Sequence, residues 1–204
     1  FSSSCTAACE AEQPLQQRGI SVSASQAAVH ELLKALVAFD TTSAKSNLKL
    51  IEYVRAYLES HGVASTLIPS EDGAKASLFA TIGPADGKSG IGLSGHSDCV
   101  PVEGQTWASD PFTLTARDGK LYGRGACDMK GFLACVLASV PLFKSRPLKE
   151  PVHIIVSYDE EVGCTGVRPL IARLGHDLPR PRVEAGWRTV QQPRLRRKAG
   201  EQQP

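Results

Sequence analysis

The feature that most constrains the fold is a nearly unbroken apolar run at residues 153–158, which ends directly in Asp159, Glu160 and Glu161. Such a run is typical of a strand that is buried on both faces, in the middle of a parallel or mixed sheet. Three adjacent carboxylates repel one another unless solvent or a cation relieves them. The run therefore predicts a buried strand with an acidic end, and it leaves open whether solvent or a metal ion offsets the charge.

Helical and extended patterns alternate around this strand. Apolar residues at helical spacing predict a helix after an N-cap at Ser25, and further helices over 50–58, from 131 onward and over 166–174. Pro141 is expected to end or kink the helix that begins at 131. Short strands are expected at 64–68, 77–82 and 90–93, with a hairpin at Asp118-Gly119. Alternating strands and helices predict an α/β fold: a three-layer catalytic domain with a mixed, mostly parallel sheet between helices.

Composition narrows the class of protein. The net charge of +2 favours neither nucleic acid nor membrane as a partner, and we expect no apolar run long enough to cross a bilayer. Residues 1–18 lack the basic and apolar pattern of a signal peptide. The six cysteines form no CxxC pair and are expected to be free thiols, which indicates a reducing, cytoplasmic location.

Three segments are expected along the chain. Residues 1–23 are small, polar and aperiodic, which predicts disorder, and 24–175 form a partial catalytic domain. From 176 to 204 the chain is rich in Pro, Arg and Gln, which predicts an unfolded basic tail more than a nucleic-acid patch. Because the chain begins with Phe1 and its only methionine is Met129, we expect a fragment whose reading frame shifts near Gly175.

A histidine and an acid follow the expected strand that ends at Leu93. His96 and Asp98 are two residues apart, so on an extended chain they face the same side. A carboxylate in that position can hold an imidazole in one tautomer while the other ring nitrogen binds a metal ion. The alternative is a polar loop in which the histidine is simply hydrogen-bonded.

Asp128 lies in a glycine-rich segment, residues 122–131, at the expected start of a helix. The positive end of the helix dipole favours a carboxylate there, so Asp128 could be a metal ligand or only a helix cap. The glycines do not have the spacing of a phosphate-binding loop.

Singly these signals are weak, but His96, Asp128 and Glu160 follow one another at intervals of 128 − 96 = 32 and 160 − 128 = 32 residues. The stretches GHSDCVPVEGQTWASDPFTLTARDGKLYGRGACDMKGF and SYDEEVGCTG resemble the acetylornithine deacetylase/succinyl-diaminopimelate desuccinylase family, particularly its deacetylase branch. This family is related to aminoacylases and zinc carboxypeptidases. The resemblance covers residues 24–175.

The resemblance implies a role for each matched residue. His96 would bind one metal ion, Asp98 would brace His96, and Asp128 would bridge two ions. Glu160 would be the general base and Glu161 a ligand of the second ion. The implied cofactors are two divalent ions, zinc or alternatively cobalt, and a cis peptide bond is implied after Asp128.

The resemblance also implies the substrate and partners. Members of the family hydrolyse the amide of N-acyl amino acids. The branch that this chain resembles most implies cleavage of N-acetylornithine to ornithine and acetate, a step in arginine biosynthesis. Succinyl-diaminopimelate hydrolysis and a non-catalytic remnant of the fold remain as alternatives. The full-length form would be a homodimer of a small-molecule enzyme, with no nucleic acid or membrane partner.

The chain also departs from the family pattern. The family has a further acidic ligand in a Gly-Glu-Pro-Thr-like segment, but the surroundings of Glu184 do not match it. The family's last histidine ligand has no counterpart after His176, and the lid and dimerisation domain is missing. The metal set is therefore expected to be incomplete in these residues.

Overall fold

The computed structural model describes residues 24–84 and 89–186. Within these ranges the helices are α1 (Gln26–Val37), α2 (Leu48–Ser60), α3 (Gly131–Ala138), α4 (Val140–Lys144) and α5 (Arg168–Arg173). The strands are β1 (Ser65–Pro69), β2 (Ala76–Ile82), β3 (Ile91–His96), β4 (Thr115–Arg117), β5 (Lys120–Tyr122), β6 (Val152–Ser157) and β7 (Val183–Ala185). The predictions for residues 1–23 and for the end of the basic tail, 187–204, lie outside the described residues.

The strand predicted to be central is central. The main sheet has the order β1-β2-β6-β3-β7, so β6 has two strands on either side. β6 pairs antiparallel with β2 and parallel with β3, while β1 pairs antiparallel with β2 and β7 pairs parallel with β3. A mixed sheet is therefore confirmed, with its pairings divided evenly between the two directions. The hairpin predicted at Asp118-Gly119 forms as β4 and β5.

Apolar side chains fill both faces of the sheet, which gives the three layers that were predicted. The larger cluster contains the inward faces of α1, α2 and α3 and one face of the sheet. The smaller cluster, on the other face, is built from Ile68, Phe79, Ile155, Leu170 and Leu178. Since β6 contributes to both clusters, its near-continuous apolar sequence is explained by burial on both sides.

Local signals set several element ends. The Ser25 hydroxyl accepts a hydrogen bond from the backbone N–H of Ala28 at 3.1 Å, so the predicted N-cap of α1 is confirmed. The helix that was predicted to end or kink at Pro141 is interrupted just before it: α3 ends at Ala138, and Pro141 lies in the first turn of α4. A proline is tolerated there because the first-turn N–H has no partner within its own helix.

The ordered chain extends beyond the predicted boundary at residue 175. Leu178 is buried in the smaller cluster, and β7 pairs with β3 from Val183 to Ala185. The scattered apolar residues of this segment carry no period, so the sequence indicated an unfolded tail beginning at 176. Backbone pairing to a neighbouring strand orders the segment through residue 186 without requiring a periodic pattern.

One helical stretch, Ala126–Lys144, is long and apolar enough by composition to cross a membrane, so the expectation that no run reaches this length is wrong. The stretch is not one regular helix, because Asp128 and Met129 have non-helical backbone angles within its first turn. Its residues Leu133 and Leu137 belong to the larger apolar cluster. These features are those of a core helix of a folded domain.

Candidate metal centre

The parallel pairing of β3 with β6 brings the histidine and the acids to one edge of the sheet. His96, the last residue of β3, is in register with Ser157, the last residue of β6. Glu160 and Glu161 follow β6 directly, so they emerge beside His96 at the carboxyl ends of the two strands. Such an edge is where open α/β sheets place their ligand sites.

His96 is buried, and both of its ring nitrogens face oxygen atoms. Nδ1 lies 3.0 Å from the backbone carbonyl of Asp98 and 3.4 Å from its carboxylate, while Nε2 lies 3.1 Å from Asp128 Oδ1. Burial alone lowers the pKa of His96, but the charge and hydrogen bonds of Asp98 and Asp128 outweigh it and raise the pKa to about 9. The ring is therefore positioned in a negatively charged environment with Nε2 directed toward the acids.

Asp98 does more than face the imidazole. Its Oδ1 accepts the backbone N–H of Glu160 at 3.1 Å, and its Oδ2 accepts that of Glu161 at 3.3 Å. Oδ2 also accepts the Ser43 hydroxyl at 2.8 Å. Burial raises the pKa of Asp98, yet these hydrogen bonds and His96 lower it below its usual value. The buried carboxylate thus ties the backbone of the acidic segment to the histidine.

Three side chains that can donate to a metal ion lie close together beside Asp98. His96, Glu160 and Glu161 each offer one ligand atom, and these atoms all lie within 4.8 Å of one another. Asp128 reaches the same place from the turn before α3, across a cis peptide bond to Met129 that the resemblance implied. Burial raises the pKa of Glu161, and neighbouring carboxylates raise it further. The arrangement concentrates negative charge around one imidazole.

Several supporting side chains gave no signal in the sequence. Lys75 Nζ donates to Asp159 Oδ1 and to the Ser43 carbonyl, both at 2.5 Å, and so holds the first acid of the DEE segment away from the centre. Asn47 donates to the buried Ser97 hydroxyl at 2.8 Å, within the loop that follows β3. These partners lie far away along the chain, so neither periodicity nor a local motif could have indicated them.

The donor atoms open into a cavity of about 370 Å³. It is lined by residues from the ends of β3, β6 and β7, from the turn before α3 and from the segments after β6 and β7, namely Ser94, Gly95, His96, Asp128, Met129, Ser157, Tyr158, Glu160, Cys164, Val167, Glu184 and Gly186. Glu184, whose sequence context did not match the family pattern, therefore lines the same cavity as Asp128 and Glu160. A cavity of this volume is large enough for a small molecule.

The donor set fits divalent metal ions. One imidazole nitrogen with several carboxylate oxygens is a ligand combination that zinc accepts. In metal sites the second histidine nitrogen is commonly held by a carbonyl or carboxylate, which is what Asp98 supplies to Nδ1. Within the described ranges no cysteine belongs to the group of donor atoms, and the described cysteines are free, as expected.

The sequence of this chain is similar to those of known proteins. The model of peptidase family M20/M25/M40 matches residues 92–197. Acetylornithine deacetylase of Myxococcus xanthus is 42% identical over 148 residues, which are 71% of this chain and 38% of that protein. Acetylornithine deacetylase of Pasteurella multocida is 39% identical over 69% of this chain and 38% of its own length. The chain thus spans less than half the length of these curated relatives.

Solved structures give the same fold. Human carnosine dipeptidase 1 superposes with a TM-score of 0.68 at 23% identity and covers 78% of this chain and 38% of its own. An M20 family metallo-carboxypeptidase from Sulfolobus solfataricus has a TM-score of 0.68 at 21% identity, covering 78% of this chain and 36% of its own. At this level of identity the likeness describes the arrangement of helices and strands.

Proposed function

Because the chain belongs to peptidase family M20/M25/M40, we propose that it is the metal-binding part of an amidohydrolase that cleaves N-acyl amino acids. The observation that supports this most directly is the convergence of His96, Glu160 and Glu161 within 4.8 Å, with Asp128 beside the histidine. These residues are far apart in the sequence, and nothing in the packing of an ordinary core requires such groups to meet.

The residues that would hold the divalent ions, zinc or cobalt, are His96, Asp128 and Glu161. When bound, such ions would polarise an amide carbonyl and make a water acidic enough to attack it near neutral pH. His96 would bind through Nε2, because Nδ1 already faces the Asp98 carbonyl at 3.0 Å. Asp98 is a positioning residue, since it holds both the ring and the backbone of the two glutamates.

Glu160 is the proposed proton carrier. Its Oε2 lies 3.9 Å from His96 Nε2, so the carboxylate borders the place where the ligands meet. In this position it takes a proton from the attacking water and later delivers it to the leaving amide nitrogen. The products are a free amino acid and the carboxylic acid of the acyl group.

The names of the relatives support N-acetylornithine as the substrate, with ornithine and acetate as products of a step in arginine biosynthesis. Succinyl-diaminopimelate is the second candidate substrate from the same family resemblance. A non-catalytic remnant of the fold is the third candidate. A cytoplasmic location and a homodimer of the full-length form are parts of the same proposal.

Metal content of the purified chain tests the centre. After incubation with zinc and removal of free ions, elemental analysis is expected to find bound zinc in the wild type and a large loss in His96→Ala. His176→Ala is the matched control, because His176 is an exposed histidine outside the donor group. Zinc content at background in the wild type, or equal content in both variants, contradicts the proposed centre.

Hydrolysis tests the reaction and the substrate. The full-length gene product is expected to release ornithine from N-acetylornithine faster than it releases diaminopimelate from the succinyl compound. Glu160→Gln should keep its zinc yet lose most of the rate, because the amide cannot carry the proton. Full activity in Glu160→Gln would remove the proton-carrying role, and a preference for the succinyl compound would overturn the substrate assignment.

A further inference from the structure

The glycine-rich turn that carries Asp128 contains a lysine with no exposure to solvent. Lys130 is 0% exposed, although a lysine is almost never fully buried unless its ammonium group has a partner. Its Nζ donates to the backbone carbonyl of Phe39 at 2.7 Å, 91 positions away along the chain. Because burying an ammonium group costs free energy, its position two residues after a proposed metal ligand calls for an explanation.

The charge of this lysine does not favour metal binding by itself. An ammonium group close to a site for divalent cations repels those cations. The effect of Lys130 on the centre through space is therefore the opposite of what a metal site requires. If Lys130 serves the centre, it does so by holding other residues in place, and the two effects differ in sign.

The carbonyl that the buried lysine reaches belongs to a segment that also supports the histidine side of the centre. In this segment, residues 39–43, the Ser43 hydroxyl donates to Asp98 at 2.8 Å. The Thr41 hydroxyl donates to the Ser97 carbonyl at 2.6 Å. The segment thus contacts both parts of the chain that bring ligands to this side of the centre, namely the loop after β3 and the turn before α3.

The turn is folded tightly around the lysine side chain. The backbone N–H of Lys130 donates to the Gly125 carbonyl at 2.8 Å, which closes the turn on itself. Gly125 has a φ of 73°, and a Cβ on it would lie 3.2 Å from Lys130 Cδ. Asp128 lies inside this closed turn, with its Oδ1 3.1 Å from His96 Nε2. The bond from Nζ to Phe39 therefore ties the turn, and with it Asp128, to the segment that supports the histidine.

We propose that Lys130 is a positioning residue of the metal centre, which holds Asp128 beside His96 by anchoring the glycine-rich turn to the Phe39 carbonyl. The inference rests on the proposed function, because it takes Asp128 to be a metal ligand. Two buried side chains then share the support of the ligands: Asp98 holds the histidine and the glutamates, and Lys130 holds Asp128. Without the anchor, the Asp128 carboxylate lies at a different distance from the imidazole.

The zinc affinity of the folded chain tests this assignment. Zinc ions are titrated against a competing chelator into the wild type and into Lys130→Met, which removes the ammonium group and keeps an apolar side chain of similar length. Lys130→Met is expected to bind zinc about 10–100-fold more weakly, the usual effect of removing the support of a metal ligand. Equal or tighter binding overturns the inference, because loss of a nearby positive charge alone favours a bound cation.

A double-mutant cycle shows whether Lys130 acts through Asp128. Asp128→Asn alone should weaken zinc binding, because a ligand is lost. In that background Lys130→Met should add less than about a two-fold further loss, since the residue that it positions is already absent. A further loss as large as the one measured in the wild-type background overturns the route through Asp128.

Leu58→Ala is the matched control for stability, because Leu58 is also fully buried but lies in α2, outside the ligand segments. It should lower the free energy of unfolding by about 2–5 kcal/mol and leave the zinc affinity of the folded chain unchanged. An equal loss of zinc affinity in Leu58→Ala and Lys130→Met would assign the effect to general destabilisation and overturn the inference.

Lys130→Gln tests the hydrogen bond itself, because its amide can still donate to the Phe39 carbonyl. It should bind zinc more weakly than the wild type and more tightly than Lys130→Met; no recovery contradicts the role of the bond. If Lys130→Met does not fold, the comparison of Lys130→Gln with the wild type decides. If neither variant folds, the inference is overturned, since Lys130 then serves the whole fold.

Failure of this inference is distinguishable from failure of the proposed function. A wild type that holds no zinc refutes the metal centre and, with it, the role of Lys130. A wild type that holds zinc, together with equal affinity in Lys130→Met, refutes only the anchor and leaves the proposed ligands in place.

Discussion

Replacing Asp98 by asparagine should destabilise the metal-free chain strongly. Asp98 is 2% exposed, and each of its carboxylate oxygens accepts a different backbone N–H, from Glu160 at 3.1 Å and from Glu161 at 3.3 Å. Asparagine has one acceptor oxygen, so in either orientation its NH2 group faces one of these N–H donors. A buried donor without an acceptor costs about 1–3 kcal/mol.

Removing the negative charge of Asp98 lowers the free energy of unfolding further. His96 Nδ1 lies 3.4 Å from the Asp98 carboxylate, and removing one partner of a buried pair typically costs about 3–5 kcal/mol in total. We therefore expect the free energy of unfolding of Asp98→Asn to fall by about 3–5 kcal/mol, a large part of the ~5–15 kcal/mol of a typical domain. The affinity for zinc should fall by about 10–100-fold, because the histidine and the glutamates lose their common support.

Urea unfolding of the metal-free chain, followed by circular dichroism near neutral pH, measures the effect. Asp110→Asn is the matched control, because Asp110 also accepts a backbone N–H and a hydroxyl, both at 2.9 Å, but is exposed. It should change stability only slightly. Ser43→Ala, which removes one neutral donor to Asp98, should cost about 1 kcal/mol. A loss below about 1 kcal/mol in Asp98→Asn, with an unchanged urea dependence, refutes the reasoning.

Three further outcomes are expected. Burial lowers the pKa of His153 below 6.5, so the unfolded chain binds a proton at this residue more readily than the folded chain does. The folded state should therefore keep its full stability above the unfolded pKa and lose part of it as pH falls below about 6.5. His153→Gln should flatten this part of a plot of urea midpoint against pH, whereas parallel plots for the variant and the wild type would exclude His153 as the cause. Lys75→Met should lower the free energy of unfolding by about 1–3 kcal/mol and weaken zinc binding, because Asp159 loses its ion-pair partner. Lys120→Met, on the exposed hairpin, should change neither quantity, and equal zinc affinities of the two variants would contradict the role of Lys75. Gly95→Ala should cost about 1–3 kcal/mol by thermal or urea unfolding, because its Cβ would lie 2.8 Å from Leu133 Cδ2, and a neutral result would mean that this interface can shift.

Much of the fold is readable from local pattern. The helical spacing of Leu32, Leu33, Leu36 and Val37 and the apolar run of β6 each follow from burial of one stripe or of two faces, and the structure buries these residues. The site residues were identifiable for a related reason. They lie where strands end and where a turn enters a helix, and such positions are marked in the sequence by polar residues directly after apolar runs.

What escaped prediction depends on contacts between distant residues. Ser43 and Asp98 are 55 positions apart, and Lys75 and Asp159 are 84 apart, so no window of sequence contains either pair. Lys130 is fully buried, with its Nζ on the Phe39 carbonyl, although its residue type indicates the surface. The strand β7 was missed because it is held by backbone pairing to β3, which leaves no side-chain period to detect.

The ladder between β3 and β6 has a consequence for how such a chain can vary. Since His96 stands opposite Ser157, the distance between the imidazole and the glutamates depends on hydrogen-bond register and not on the chain that connects the two strands. Insertions or deletions in the exposed hairpin of β4 and β5 should therefore leave that spacing intact. A slip of two residues along the ladder, which keeps every side chain on its own face, would instead displace the glutamates by about 6.6 Å and separate them from the imidazole.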